Sequence, residues 1–191
     1  MNTLYPIFLK TENIHILIVG GGFVGTEKLS FILKNSPNAN ITVVAKEISE
    51  EIKSQVSSLK SQHLIEKAFE PSDLENKQLV IAATADKVLN ESIYHAAKEK
   101  NILINVADTP ELCDFYLGSI VTKGDLKIAI STNGKSPTLS KRIREFFEDI
   151  LPENINELIL NLHAYRKTLK GNFEEKVEAL NEITKVFNKK S

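Results

Sequence analysis

The sequence predicts an α/β fold built on a parallel sheet, and three observations carry that expectation. Short β-branched apolar runs alternate with stretches of helical periodicity through the first half of the chain. The runs are apolar without polar alternation, which marks strands covered on both faces. A glycine cluster separates the first run from the first helical stretch. Such alternation favours right-handed crossovers and parallel pairing.

Ile14–Val19 is the first strand, and it runs into the three glycines Gly20–Gly22. Thr26–Lys34 places Leu29, Ile32 and Leu33 at helical spacing. Ile41–Val44 is the second strand, followed by a helix over Ile48–Leu59 with apolar Ile48, Ile52, Val56 and Leu59. His63–Phe69 is a weak third strand and Leu79–Ala83 a strong fourth. Lys87–Lys100 reads as a helix burying Val88, Leu89, Ile93 and Ala96 or Ala97, and Ile102–Val106 as the fifth strand.

After residue 115 the pattern changes. Ser119–Thr122 and Leu126–Ser131 flank Lys123-Gly124-Asp125, a hairpin signal. Ser136-Pro137 gives an N-cap followed by proline at the first helical position. Leu139, Ile143, Phe146, Phe147 and Ile150 then form one apolar stripe, and Pro152 ends the helix. Two amphipathic helices follow, about Ile155–Leu169 and Phe173–Phe187, the second opened by a capping-box pair, Asn172 and Glu175. The expected partition is a nucleotide-binding domain over 1–115, a β-hairpin/helix module over 116–151, and a C-terminal helical module over 152–191. The residues after 115 make a thin core on their own, so their apolar stripes are expected to bury against a second subunit in a homodimer.

Composition sets limits. With 191 residues, 42% of them hydrophobic and 26% charged, the chain reads as one globular domain with an appendage rather than as a disordered chain. No apolar run approaches the roughly 18 residues of a membrane span, and Met1–Pro6 does not look like a signal peptide. The one cysteine, Cys113, forbids an intramolecular disulfide and fits a reducing cytoplasm. A net charge of −1 gives no reason to expect a nucleic-acid partner.

Gly20-Gly21-Gly22-Phe23-Val24-Gly25 matches G-x-G-x-x-G between a strand and a helix, the setting in which this motif binds a dinucleotide. Gly20 allows the tight turn, Gly22 lets the backbone approach a pyrophosphate, and Gly25 lets the helix pack on the strand. With Phe23 and Val24, these are the candidate cofactor-loop residues of a Rossmann-type sheet. The acidic residue usually found at the end of the second strand is not clear-cut. Glu47 would suit the ribose of NAD, Lys46 would suit the 2′-phosphate of NADP, and either could equally be a solvated helix start. Thr84 and Asp86 follow the fourth strand as further cofactor candidates, with Asp86 alternatively an N-cap. His15, His63, His95 and His163 are dispersed without ligand spacing, so no resident metal is expected.

Five stretches together resemble the precorrin-2 dehydrogenase family, the dehydrogenase part of sirohaem synthase. They are Val19–Gly25 with Lys28, Ile81–Asp86 with Asn90, Asn105–Asp108, Phe115–Val121, and Ile128–Pro137 followed by Lys141–Glu145. The last two are more specific than the glycine motif. The resemblance implies NAD⁺-dependent oxidation of precorrin-2 to sirohydrochlorin, a Rossmann domain, a dimerisation module and a helical module. Some members also insert Fe²⁺, so a bifunctional dehydrogenase/ferrochelatase is the first alternative. A non-catalytic NAD-binding regulatory module is the second, though no helix-turn-helix pattern supports it. Larger relatives carry a methyltransferase domain after this region, an activity not expected here. The chain departs from the family at Gly25, Lys46, Gly118 and Asn133, where Ala, Pro, Pro and Gly are usual.

Asp108 matches the family's aspartate and follows the fifth strand, so the resemblance makes it the candidate acid/base, with an N-cap before Thr109-Pro110 as the other reading. Ser131, Thr132, Lys135 and Arg142 are the candidate substrate residues. Between Gly118 and Arg144, Lys123, Lys127, Lys135, Lys141, Arg142 and Arg144 stand against Asp125 alone, which suits an acidic tetrapyrrole; ordinary loop and helix surface is the competing reading. Cys113 is expected to be a structural thiol.

Overall fold

The computed structural model describes residues 2–57 and 62–185. Leu59 and Phe187, the expected ends of two helices, lie outside them. The chain divides into two compact units, one of residues 1–118 with 131–136, the other of 119–130 with the residues from Pro137 onward.

The first unit is a five-stranded parallel sheet in the order β3-β2-β1-β4-β5. The strands are β1 (His15–Val19), β2 (Asn40–Ala45), β3 (Gln62–Glu66), β4 (Leu79–Ala82) and β5 (Leu103–Val106). The helices are α1 (Phe23–Asn35), α2 (Glu50–Val56) and α3 (Lys87–Glu99). Side chains of a strand alternate between faces, and the core divides accordingly. Ile16, Ile18, Ile41, Val43 and Ile81 meet Leu29 and Ile32 of α1 and Ile52 and Val56 of α2 on one face. Leu17, Val19, Val44, Val80, Ile104 and Val106 meet Ile93 and Ala97 of α3 on the other. Two covered faces explain why the strands carry no polar alternation.

Three expectations need correction. Val88 is 77% exposed rather than buried. The residues on its side of α3 are Ser92, His95 and Glu99, so the helical period itself puts it on the polar face. The third strand ends at Glu66 and does not reach Phe69. There Lys67 pairs with Glu70 and Asp73, at 2.9 Å each, and Pro71 starts a 3-10 turn over Pro71–Leu74. The second helix starts at Glu50 because Ser49 caps it by accepting from Ile52 N, leaving buried Ile48 ahead of it.

The second unit holds the expected hairpin, β6 (Ser119–Lys123) and β7 (Leu126–Ile130), in antiparallel register with Lys123 opposite Leu126. Gly124 turns it with a φ of 58°, the left-handed region that favours glycine. Three helices follow, α4 (Pro137–Ile150), α5 (Ile155–Thr168) and α6 (Phe173–Thr184). Ser140 of α4 is buried and its hydroxyl lies 3.3 Å from that of Ser119. Lys123 Nζ donates to Leu151 O (2.6 Å) and to Glu153 (2.7 Å), closing the C-terminal end of α4. Asn156 of α5 accepts from Asp125 N at 2.8 Å, and the capping box of Asn172 and Glu175 opens α6 as expected. The α4 stripe is largely uncovered: Leu139, Phe146 and Ile150 are each more than half exposed.

A Cβ on Gly124 would stand 2.1 Å from Asn156 Cγ. Gly124→Ala is therefore expected to lower unfolding free energy by about 1–3 kcal/mol, measured by urea denaturation. Strain at the turn and displacement of Asn156 both contribute.

Candidate functional site

Parallel strands bring their carboxyl ends to one edge. In this strand order the chain reverses direction between β1 and β4, and ligands of such sheets bind in the crevice outside that point. The segments that emerge there are Gly20–Gly22 after β1, Lys46-Glu47 after β2, Ala83–Asp86 after β4 and Ala107-Asp108 after β5.

The glycine loop is fixed from both sides. Gly20 has a φ of +127°, and a Cβ there would meet Ala83 O at 2.4 Å. On the other side a Gly21 Cβ would meet Glu47 O at 2.2 Å, and Gly21 O accepts from Ser49 N at 3.0 Å. A Gly25 Cβ would fall 2.1 Å from Gly20 O, so the packing of α1 on this loop calls for glycine. At Gly22 nothing lies within 4 Å of a Cβ position. No atom of the protein demands glycine there, and the open space leaves room for a group arriving from outside. Gly22 also begins α1 with no side-chain cap and no acidic residue in the first turn, so the helix end stays suited to phosphate oxygens. The donor set thus fits a dinucleotide. Thr26, buried beneath the loop, donates to Gly22 O (3.0 Å) and meets Ser49 Oγ (3.2 Å). This tie between the loop and the α2 cap was not anticipated from sequence. Phe23 is 82% exposed and Val24 packs against the core.

Lys46 and Glu47 are both exposed, and neither forms a hydrogen bond or ion pair with a described residue. After β4, the Thr84 hydroxyl donates to Asn90 Oδ1 at 2.7 Å, while Asn90 Nδ2 donates to Thr84 O at 3.0 Å. Buried Asn90 therefore shapes this loop. Asp86 accepts from Val88 N (2.9 Å) and Leu89 N (3.1 Å), the N-cap role weighed for it. Exposed Val88, the second residue of α3, adds an apolar surface at the strand-end edge where α3 begins.

Asp108 is exposed, sits at a φ of 57°, and forms no hydrogen bond or ion pair with a described residue. It is not an N-cap, because Thr109 holds that position before the 3-10 turn Pro110–Leu112. Left-handed backbone at a residue other than glycine costs energy and recurs at functional sites. Two strand spacings separate β5 from β1, about 10 Å across the sheet. Just below Asp108, the Cys113 sulfur accepts from Val106 N at 3.3 Å, and burial pushes the thiol pKa up. It is a structural thiol, as expected.

Ser131–Ser136 group with the first unit. Ser131 Oγ accepts from Asn133 N and Thr132 Oγ1 from Ser136 N, each at 3.1 Å. Asn133 has a φ of 56°, the left-handed region that asparagine tolerates and glycine favours. Lys135 N donates to Thr132 O at 3.1 Å, while its exposed side chain forms no hydrogen bond or ion pair with a described residue. Arg142 lies on α4 in the second unit and pairs with Glu145 at 2.9 Å. The positive count between Gly118 and Arg144 is reduced in the folded chain. Lys123 is spent on capping α4, and Arg144 meets Glu148 at 2.6 Å, just beyond the counted segment.

Comparison with known proteins gives a consistent result. A family model described as putative NAD(P)-binding matches residues 7–119, and one described as sirohaem biosynthesis protein, central, matches 123–150. A siroheme synthase of Psychromonas ingrahamii is 40% identical over 165 residues, covering 86% of this chain and 34% of that protein. One of Pseudoalteromonas atlantica is 37% identical over 169 residues, covering 88% of this chain and 36% of its own length. The chain thus spans about a third of these curated relatives. Among solved structures, SirC, a precorrin-2 dehydrogenase, aligns with a TM-score of 0.75 at 28% identity, over 95% of this chain and 89% of that one.

The glycine geometry separates two substitutions. Gly21→Ala is expected to destabilise the fold, since its Cβ meets the Glu47 carbonyl. Gly22→Ala is expected to leave the melting temperature within about 2 °C of the parent, in line with a surface change, yet to weaken NAD⁺ binding at least tenfold in calorimetric titration.

Proposed function

This chain belongs to the precorrin-2 dehydrogenase family of NAD(P)-binding proteins, and we propose that it oxidises precorrin-2 to sirohydrochlorin with NAD⁺ as hydride acceptor. One observation carries the reading. A glycine loop open to a phosphate and a carboxylate, Asp108, without a partner among the described residues, emerge from the same sheet edge two strands apart.

When bound, the nicotinamide supplies the redox chemistry by taking up a hydride. The protein's share is binding, orientation and the accompanying proton. Gly20, Gly22, Phe23, Val24 and Gly25 hold the pyrophosphate at the start of α1. Glu47 takes the ribose hydroxyls, with Lys46 beside it. Thr84 and Asp86 shape the β4 side of the cleft through the Asn90 bonds and the α3 cap. Asp108 accepts the proton released as the hydride leaves the macrocycle, or orients the pyrrole nitrogens. Ser131, Thr132, Lys135 and Arg142 receive the substrate's carboxylates. In the domain partition, 1–115 binds NAD, 116–151 dimerises and binds substrate, and 152–191 is a helical module.

The homodimer is part of this reading. It rests on the uncovered stripe of α4, where Leu139, Phe146 and Ile150 present apolar surface that an isolated chain would leave in water. Among the described residues no helix is long and apolar enough to cross a membrane. With the single free thiol of Cys113, this supports a reducing cytoplasm as the working compartment.

The decisive test is an anaerobic assay of the protein with precorrin-2, with and without NAD⁺. Sirohydrochlorin absorbance is expected to rise with NADH, and only when protein and NAD⁺ are both present. Adding Fe²⁺ or Co²⁺ to the sirohydrochlorin formed, against an uncatalysed control, measures chelatase activity separately. Asp108→Asn should lower turnover by 10²-fold or more, within the usual range for an acid/base group, while NAD⁺ affinity stays at the parent value. Near-normal turnover would remove Asp108 from the mechanism. Phe146→Glu should shift the chain from dimer to monomer in sedimentation velocity; a parent that already sediments as a monomer would end the dimer proposal.

A further inference from the structure

β5 is an edge strand, yet its outer backbone groups are not left open. The chain doubles back after the 3-10 turn, and residues 113–115 take the place of a sixth strand. Asp114 N donates to Ile104 O (2.8 Å), and Asp114 Oδ2 accepts from Ile104 N (3.1 Å). One residue pair further on, the ladder partner is a sulfur atom. Cys113 Sγ accepts from Val106 N at 3.3 Å and from Asn105 Nδ2 at 3.4 Å. It also lies 3.3 Å from Val106 O and 3.4 Å from Thr109 O, within reach as a thiol donor. Asn105, 7% exposed, sends its amide to Phe115 O as well, at 2.8 Å. Val106 and Thr109 are the two ends of the turn that carries Asp108, and Thr109 N donates back to Val106 O at 3.3 Å.

We propose that Cys113 clamps both ends of the Val106–Thr109 turn, braced by the Asn105 amide, and that the two are positioning residues holding Asp108 in its left-handed conformation. The inference rests on the reading of Asp108 as the proton-handling group.

The physical reasoning is direct. Left-handed backbone at an aspartate persists only where its surroundings over-determine it. Here the surroundings are one half-buried sulfur, bonded to both ends of the turn, and one buried amide, bonded to that sulfur and to Phe115 O. A thiol suits the place because it accepts and donates at once. Its raised pKa, caused chiefly by burial, keeps the proton that the donor role needs. Removing the sulfur leaves Val106 N–H and one Asn105 N–H without acceptors. The turn can then relax, and small misplacements of a reacting group are costly in rate.

The test is steady-state kinetics of Cys113→Ala, Cys113→Ser and Asp108→Asn with precorrin-2 and NAD⁺. Cys113→Ala is expected to lower kcat about 10- to 100-fold, with KM for both substrates changed less than about threefold, the pattern of an interaction expressed in the transition state. Cys113→Ser keeps a group that donates and accepts, and should recover kcat to within about fivefold of the parent. Should Cys113→Ala not fold, Asn105→Ser carries the same expectation of a lower kcat at unchanged KM. Wild-type kcat in Cys113→Ala, or a rise in KM at constant kcat, would overturn the clamp. Undiminished turnover in Asp108→Asn would instead overturn the reading of Asp108, so the two failures are told apart.

Discussion

The cofactor edge of this molecule depends on one close approach, that of the Gly20 backbone to the carbonyl of Ala83. β1 and β4 are neighbours from Ile16–Leu79 to Val19–Ala82, and beyond that register the two chains must part to reach helices at different places. A side chain at position 20 would push them apart by more than an ångström. With glycine there, the loop turns directly over the end of β4, and α1 starts with its N–H groups facing the crevice. Gly21 repeats the device on the β2 side, against Glu47. The loop is therefore gripped between two strand ends, and only Gly22 is left facing open space. A loop held in this way is pre-organised for an anion, and binding need not include the cost of ordering it.

Much of this was legible in the sequence because it is local. The first two expected helices, the five strands and the hairpin follow from period and turn chemistry over a few residues, as does the capping box of Asn172 and Glu175. What was not legible depends on partners distant in the chain. Asn156 meets the Gly124–Asp125 turn across 31 residues, and Lys123 reaches Leu151 across 28. Neither residue type announces such a role. Val88 is a different case. Its neighbours at helical spacing, Ser92, His95 and Glu99, are polar and exposed, so its place on the helix outweighs its apolar side chain.

Charge shows why counting along a segment can mislead. The excess of lysine and arginine before Arg144 stands next to Glu145 and Glu148 at helical spacing. These exposed pairs contribute little to stability, about 0–1 kcal/mol, but they reduce the local field that a distant anion would feel. Lys135 differs in that no carboxylate of the described residues meets it. It sits on a turn containing successive left-handed residues, Asn133 and Gly134. A positive group on a turn of this kind keeps its charge available to an approaching carboxylate in a way that Arg142 does not.

The edge position of β5 ties these features together. A central strand would have its backbone groups taken by a neighbour along its whole length, and the chain beyond it would be committed to the direction of the sheet. On β5 the outer groups are met by a carboxylate, a backbone amide and a thiol of the returning chain. This covering closes an edge that would otherwise invite pairing with another chain. It also ends at Val106 and leaves the next residues free to turn out of the sheet. The left-handed turn at Asp108 is possible because the strand before it is closed by side chains rather than by another strand. Edge protection and the placement of the carboxylate thus come from the same few atoms.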